Sequence, residues 1–185
     1  MKSNRGFTLL ELLVVMVILG TLVTIGLRSF TSSQMKARDA RRKEDLIQVT
    51  TALELFHSDK GYYPVNNEFG QIVAYDNSDL AHTYVWGETF NDPDQTATIY
   101  AGNLPQDPSG LRYYYQAYTM GAAGWEAIDI GADQQAQAYR IYAFLENIQD
   151  NARVSGAMPD DDIYCHDDGD KMPCNYFINT SNLSN

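Results

Sequence analysis

Cysteine is nearly absent from this 185-residue chain, histidine is scarce, and no proline occurs before Pro64. Each shortage excludes something. Of the three histidines, His57, His82 and His166, only His166 lies near the two cysteines, too few ligands for a structural zinc site. No nucleophile elbow, phosphate-cradling glycine loop or H-E-x-x-H pair occurs. Carboxylates are plentiful between Asp160 and Asp170, but without an apolar setting that would separate their pKa values for acid–base work. The chain therefore reads as a non-enzyme without a resident cofactor. Basic residues are also few. Up to Lys43 there are eight against two acidic ones, and the remainder carries five against twenty-two, a balance of −17. Such a surface repels phosphate, so direct nucleic-acid binding is not expected.

The missing prolines leave the first sixty residues free to be helical. From Phe7 to Leu27 the only charge is Glu11, and twenty-one helical residues span roughly 30 Å, the hydrocarbon thickness of a bilayer. No A-x-A pattern follows this run, so the segment is expected to stay in the mature protein. A carboxylate one turn inside an apolar helix costs on the order of 2.5–3.5 kcal/mol and normally has a partner. Glu11 is then either protonated or snorkelling, or paired with a positive group at the same depth. The α-amino group that a cut between Gly6 and Phe7 would create is such a group. A plain count of cations flanking the run favours the opposite orientation, with six between Arg28 and Lys43 against Lys2 and Arg5 before it.

Farther along, Leu46, Val49, Leu53 and Phe56 recur at three and four residues, an apolar stripe that should pack on a globular head. Lys60-Gly61 supplies a C-cap and Pro64 closes the helix near Ser58. His57 reads as a surface cation at that helix end. The basic band Lys36–Lys43 has three readings: anionic headgroups, an acidic patch on a next subunit, or a solvated face. Gly20 and Gly26 read equally as sites of local melting and of close helix packing.

The residues Lys2-Ser-Asn-Arg-Gly6-Phe7-Thr-Leu-Leu-Glu11-Leu-Leu-Val-Val resemble the leader of type IV pilins and type II secretion pseudopilins: a short basic leader, glycine at the cut, phenylalanine next, glutamate five positions beyond the cut. The resemblance implies cleavage after Gly6 by a membrane-embedded prepilin peptidase on the cytoplasmic side and N-methylation of Phe7. It also implies recruitment of a neighbouring subunit through Glu11, with the N-terminus inside and the head outside the cytoplasmic membrane. Asp59-Lys-Gly-Tyr-Tyr-Pro64 and Leu104-Pro-Gln-Asp-Pro108 extend the likeness toward the major pseudopilin. Ile128–Asp133 is similar to the strand and loop before that group's calcium site, but Gln134–Ala138 replaces the ligand loop. The implied fold is α+β, a long N-terminal helical spine, transmembrane in its first half, packed on a small antiparallel sheet. It divides into a cleaved leader 1–6, a transmembrane and polymerisation helix 7–28, an amphipathic half 29–60 and a head 61–185. The implied role is a filament subunit assembling with its own kind and related pilins through a separate assembly machinery. A secretion pseudopilin and a membrane-anchored ligand-binding ectodomain are the alternatives.

Within the head, Gln71–Tyr75, Thr83–Trp86, Arg112–Thr119, Trp125–Ile130 and Tyr139–Leu145 read as strands, the last three forming a meander with Met120–Gly124 as a hairpin loop. Asn91–Asp94 is a turn. The tyrosines, Tyr113 to Tyr115, Tyr139 and Tyr142 among them, suit a core and a subunit interface more than an adhesive patch. Cys165 and Cys174 flank a polar loop, which points to a disulfide and an oxidising compartment; closing so small a loop contributes about 2.5–3 kcal/mol. In many pilins a C-terminal disulfide loop pins the tail in this way. Asp160–Asp162 and Asp167–Asp170 offer the hard oxygens Ca²⁺ takes, without the spacing of an EF-hand.

Overall fold

The helix expected from the missing prolines forms as one element. In the computed structural model, which describes residues 6–122, 124–128, 135–154, 163–166 and 172–180, α1 runs Leu9–Lys60. It ends where glycine allows it to: Gly61 has φ +82° and its N–H donates to the His57 carbonyl at 2.8 Å, the left-handed cap that side chains with a Cβ resist. Residues divide into two units, 1–37 and 38–185, so the last part of α1 belongs to the second.

In the second unit, Leu46, Val49, Leu53 and Phe56 are all at most 1% exposed, as their spacing predicts, and Ala52 joins them. Burying each large apolar chain contributes about 1.5–3 kcal/mol. They pack in one core with Ile72, Leu104, Tyr113, Tyr115, Tyr139 and Ile141. Phe56 stacks on Phe90 at 5.5 Å and meets Tyr100 edge-on at 5.3 Å, arrangements that suit the ring quadrupoles.

Eleven strands are described. A small antiparallel sheet joins β1 (Val65–Asn66), β2 (Ile72–Tyr75) and β3 (Ala81–Tyr84) in that order. β4 (Phe90–Asn91) pairs with β5 (Ile99–Ala101), and β9 (Tyr164–His166) with β10 (Met172–Pro173). The main sheet contains β6 (Tyr114–Gly121), β7 (Gly124–Ile128), β8 (Ala138–Ala143) and β11 (Tyr176–Asn179), in the order β11-β8-β6-β7, with antiparallel neighbours throughout. The expected meander is corrected here. β8 pairs with β6 rather than β7, because β6 is buried along most of its length while β7 is largely exposed, and a strand covered on both faces belongs in the sheet interior. The β6–β7 hairpin is tighter than Met120–Gly124, with Gly121 pairing directly with Gly124. β8 is buried at all six positions, as its two-sided apolar pattern requires.

The chain after Asn147 also enters the fold. β11 pairs with β8 from Tyr176↔Ala143 to Asn179↔Arg140, and Cys165 is joined to Cys174 by a disulfide. The loop thus closes just before the strand that completes the main sheet.

Candidate functional site

Gly6 and Phe7 precede α1, and Phe7 is 81% exposed. Thr8 and Glu11 cap the helix reciprocally. The Glu11 N–H donates to Thr8 Oγ1 at 3.2 Å, and Glu11 Oε2 accepts from the Thr8 N–H at 2.9 Å and the Thr8 hydroxyl at 2.7 Å. This is a capping box, which satisfies helix N–H groups that otherwise have no acceptor. Thr8 is the residue that sequence reasoning overlooked. Its signal, a threonine three positions before a glutamate at the head of an apolar run, was present. Both bonds fall on one carboxylate oxygen, leaving Oε1 as an available acceptor.

Behind this cap, Leu9, Leu10, Leu12, Leu13, Leu19, Leu22, Leu27 and Phe30 are each more than half exposed. The most apolar window of α1 has a mean hydropathy of 2.5, and none of it is buried within the chain. An apolar surface of this size on a helix requires lipid or other protein.

The basic band is corrected by the structure for three of its members. Arg42 is fully buried and holds three carboxylates at once. Its Nε and Nη2 donate to Asp107 at 2.5 and 3.1 Å, and its Nη1 donates to Asp39 and Glu146, both at 2.8 Å. Arg38 forms a two-pronged pair with Glu146, at 2.9 and 2.5 Å, and Lys43 pairs with Asp150 at 2.7 Å. Asp39 in turn accepts the N–H groups of Glu146 and Asn147 at 2.9 and 2.7 Å. These cations face carboxylates of their own chain, Arg42 with no exposed surface left. Hydrogen bonding from Arg38 pulls the Glu146 carboxyl down to about 2 against the opposing effect of burial, with Arg42 adding to the pull.

Comparison with known proteins places this geometry. Residues 1–27 match the family described as the prokaryotic N-terminal methylation motif. The type II secretion system core protein G of Klebsiella pneumoniae is 33% identical over 113 residues, 61% of this chain and 74% of that protein. The chain belongs to the pilin and pseudopilin family. Core protein G of Vibrio cholerae is 28% identical over 144 residues, 72% of this chain and 91% of its own. The type IV major pilin protein PilA of Myxococcus xanthus is 38% identical over 68 residues, 36% of this chain and 31% of that pilin. No solved structure matches significantly.

In this pilin-family chain the remaining candidates are dispersed. The His57 ring stacks on Tyr63 at 4.3 Å, and His82 lies 3.3 Å from Asp76. Tyr113, Tyr115, Tyr139 and Tyr142 are fully buried; burial, and next the bond its hydroxyl donates to Asp45 at 2.7 Å, raises the Tyr113 pKa. Among the described residues no group of three or more histidine, cysteine, aspartate or glutamate side chains could hold a metal ion. The leader up to Arg5, residues 129–134 of the stretch set against the calcium site, and the acidic runs Asp160–Asp162 and Asp167–Asp170 lie outside the described residues.

Proposed function

We propose that this protein is a non-enzymatic subunit of a type IV pilus-like filament, cut after Gly6 by a prepilin peptidase and N-methylated at Phe7. The observation that carries the reading is the exposed apolar stretch of α1, which starts at Leu9 behind the Thr8–Glu11 capping box and just after Gly6-Phe7. Before assembly the bilayer solvates this surface, with the N-terminus inside and the head outside. In the filament neighbouring helices replace the lipid, and the free Oε1 of Glu11 accepts the Phe7 amine of a staggered copy, which neutralises both charges in an apolar setting. No cofactor is required, and calcium has no role in the reading. The peptidase and assembly machinery are the expected further partners.

The test is mass spectrometry of native filament material together with a Glu11→Ala variant. The expected results are a chain beginning at Phe7 and bearing one methyl group, and loss of polymer in the variant with the head still folded. A native chain retaining Met1–Gly6, or normal fibres with Glu11→Ala, would sink the reading.

A secretion pseudopilin is the second reading, and one observation favours it: the Klebsiella and Vibrio core protein G relatives match 61% and 72% of this chain, and the Myxococcus pilin 36%. Deleting the gene separates the two. Loss of exoprotein release with surface fibres intact assigns the pseudopilin role.

A further inference from the structure

At the C-terminal end of α1 a cleft of about 680 Å³ opens between the helix end, β2 and the β2–β3 loop. Its walls carry Asp59, Asp76, Asp79 and Asp94 together with Tyr62 and Tyr75. The charge there is lopsided. Lys60 is the lysine of this cleft, and it is already committed to Asp92 at 2.8 Å and Asp94 at 3.0 Å. Asp76 is held by the Ser78 and Leu80 N–H groups at 2.8 and 3.0 Å, and Asp59 accepts the Tyr100 hydroxyl at 2.7 Å. Asp79 is exposed, and its carboxylate has no partner among the described residues. A cleft with half-buried tyrosine rings and an excess of carboxylate selects a cation with a flat or extended apolar stem. A guanidinium fits best, because it can stack on a ring and fork onto a carboxylate together.

The same chain presents such a group. Of the basic band, Arg38, Arg42 and Lys43 are bound internally, whereas Arg41 is exposed and has no hydrogen bond or ion pair among the described residues. We propose that the Asp/Tyr cleft of one subunit receives Arg41 of a second copy of this chain. The inference rests on the filament reading above and adds a contact to it. Arg41 lies nineteen residues before Lys60 on α1, about 28 Å of helix rise. Two parallel copies offset axially by that distance bring the arginine level with the cleft. Because the two surfaces differ, the contact is head-to-tail and propagates into an open polymer rather than closing a dimer.

The contact is tested in the native host on full-length protein. An Arg41→Cys, Asn77→Cys double variant should cross-link into a ladder under mild oxidation of filaments, with Arg41→Cys, Ala152→Cys as the off-site control. Arg41→Glu should reduce polymer at least tenfold, and adding Asp79→Lys should restore most of it. All these positions are exposed, so folding is preserved and cleavage after Gly6 serves as the check. Wild-type-like polymer from Arg41→Glu, or a ladder no stronger than the control, overturns the contact while leaving the filament reading intact. Loss with Asp79→Lys alone but not with Arg41→Glu assigns the cleft to a different cation and also overturns it. A wild-type chain that forms no polymer removes the filament reading and this contact together.

Discussion

Arg42→Ala is the sharpest perturbation available in the head. The guanidinium is completely buried, and its two closest partners are almost as dry, with side-chain exposures of 2% for Asp39 and 1% for Asp107. Removing the arginine leaves those carboxylates in a poorly solvated place with their charge uncancelled. Some compensation survives: Asp39 keeps the N–H groups of Glu146 and Asn147, and Asp107 keeps those of Ser109 at 2.8 Å and Leu111 at 3.3 Å. Breaking a buried pair from one side costs about 3–5 kcal/mol. Against a typical domain stability of about 5–15 kcal/mol, that is roughly a fifth or more of the total. For a domain of this size the melting temperature should fall by roughly 6–20 °C.

The assay is thermal unfolding of the full chain in detergent micelles, followed by near-ultraviolet circular dichroism and tryptophan fluorescence. Trp86 is a suitable reporter, since it packs edge-on against Tyr113 at 5.6 Å and Tyr113 is tied to Asp45 on α1. Arg42→Lys should fall between wild type and alanine, because one ammonium cannot fork onto Asp107 while also reaching Asp39 and Glu146. A loss below about 1 kcal/mol for Arg42→Ala would refute the reasoning, showing that the desolvation of the guanidinium already cancels its attraction in the native state.

Acid should unfold the head through the same network. Glu146 is depressed from 4.5 to about 2 in the folded state, so its contribution is present above the ordinary value and is lost as pH falls from 4.5 toward 2; a denaturation midpoint that stays flat across that window in pH-stepped urea melts would contradict this. Cys174→Ser should lower stability by about 2–3 kcal/mol and loosen β11, read as faster amide exchange at Tyr176–Asn179; unchanged exchange there would separate the disulfide from the strand. Gly70→Ala should be poorly tolerated, since Gly70 has φ +67° and an added Cβ would lie 2.4 Å from the Tyr114 ring; a loss of at least about 1 kcal/mol in denaturant titration is expected.

What the sequence disclosed follows the range of the interaction. The stripe Leu46, Val49, Leu53, Phe56 and the cap at Gly61 are set by neighbours within a few positions, and both were legible. The capping box is equally local, but a lone carboxylate in an apolar run reads first as a buried charge, which masks the cap Glu11 forms with Thr8. Arg42 sits on the same helical face as Leu46 and Val49, yet a charged residue reads as solvent-facing until its partners are known, and Asp107 and Glu146 lie 65 and 104 residues away. The strand order hid for a related reason. Alternation identifies β6, β7 and β8 but does not say which is covered on both faces. β11 has four residues and a half-buried pattern, too short to stand out beside the acidic tail.

α1 carries two kinds of surface that ask for different partners. From Leu9 to Phe30 its described apolar side chains are exposed, so the folded chain covers none of these itself. From Arg38 onward the buried face is occupied within one unit, first by the charges Asp39, Arg42 and Asp45 and then by Leu46, Val49 and Leu53. Substitutions in the two stretches should therefore fail differently. Leu13→Ala or Val17→Ala removes contact area that exists only in lipid or polymer, leaving the unfolding midpoint of the head unchanged while filament yield falls. Leu53→Ala removes a fully buried side chain and should cost the head about 2–5 kcal/mol with or without neighbours. If Leu13→Ala lowered the melting temperature of the head as much as Leu53→Ala, the N-terminal surface would be part of the monomer's own core, and the case for a chain built to polymerise would lose its physical basis.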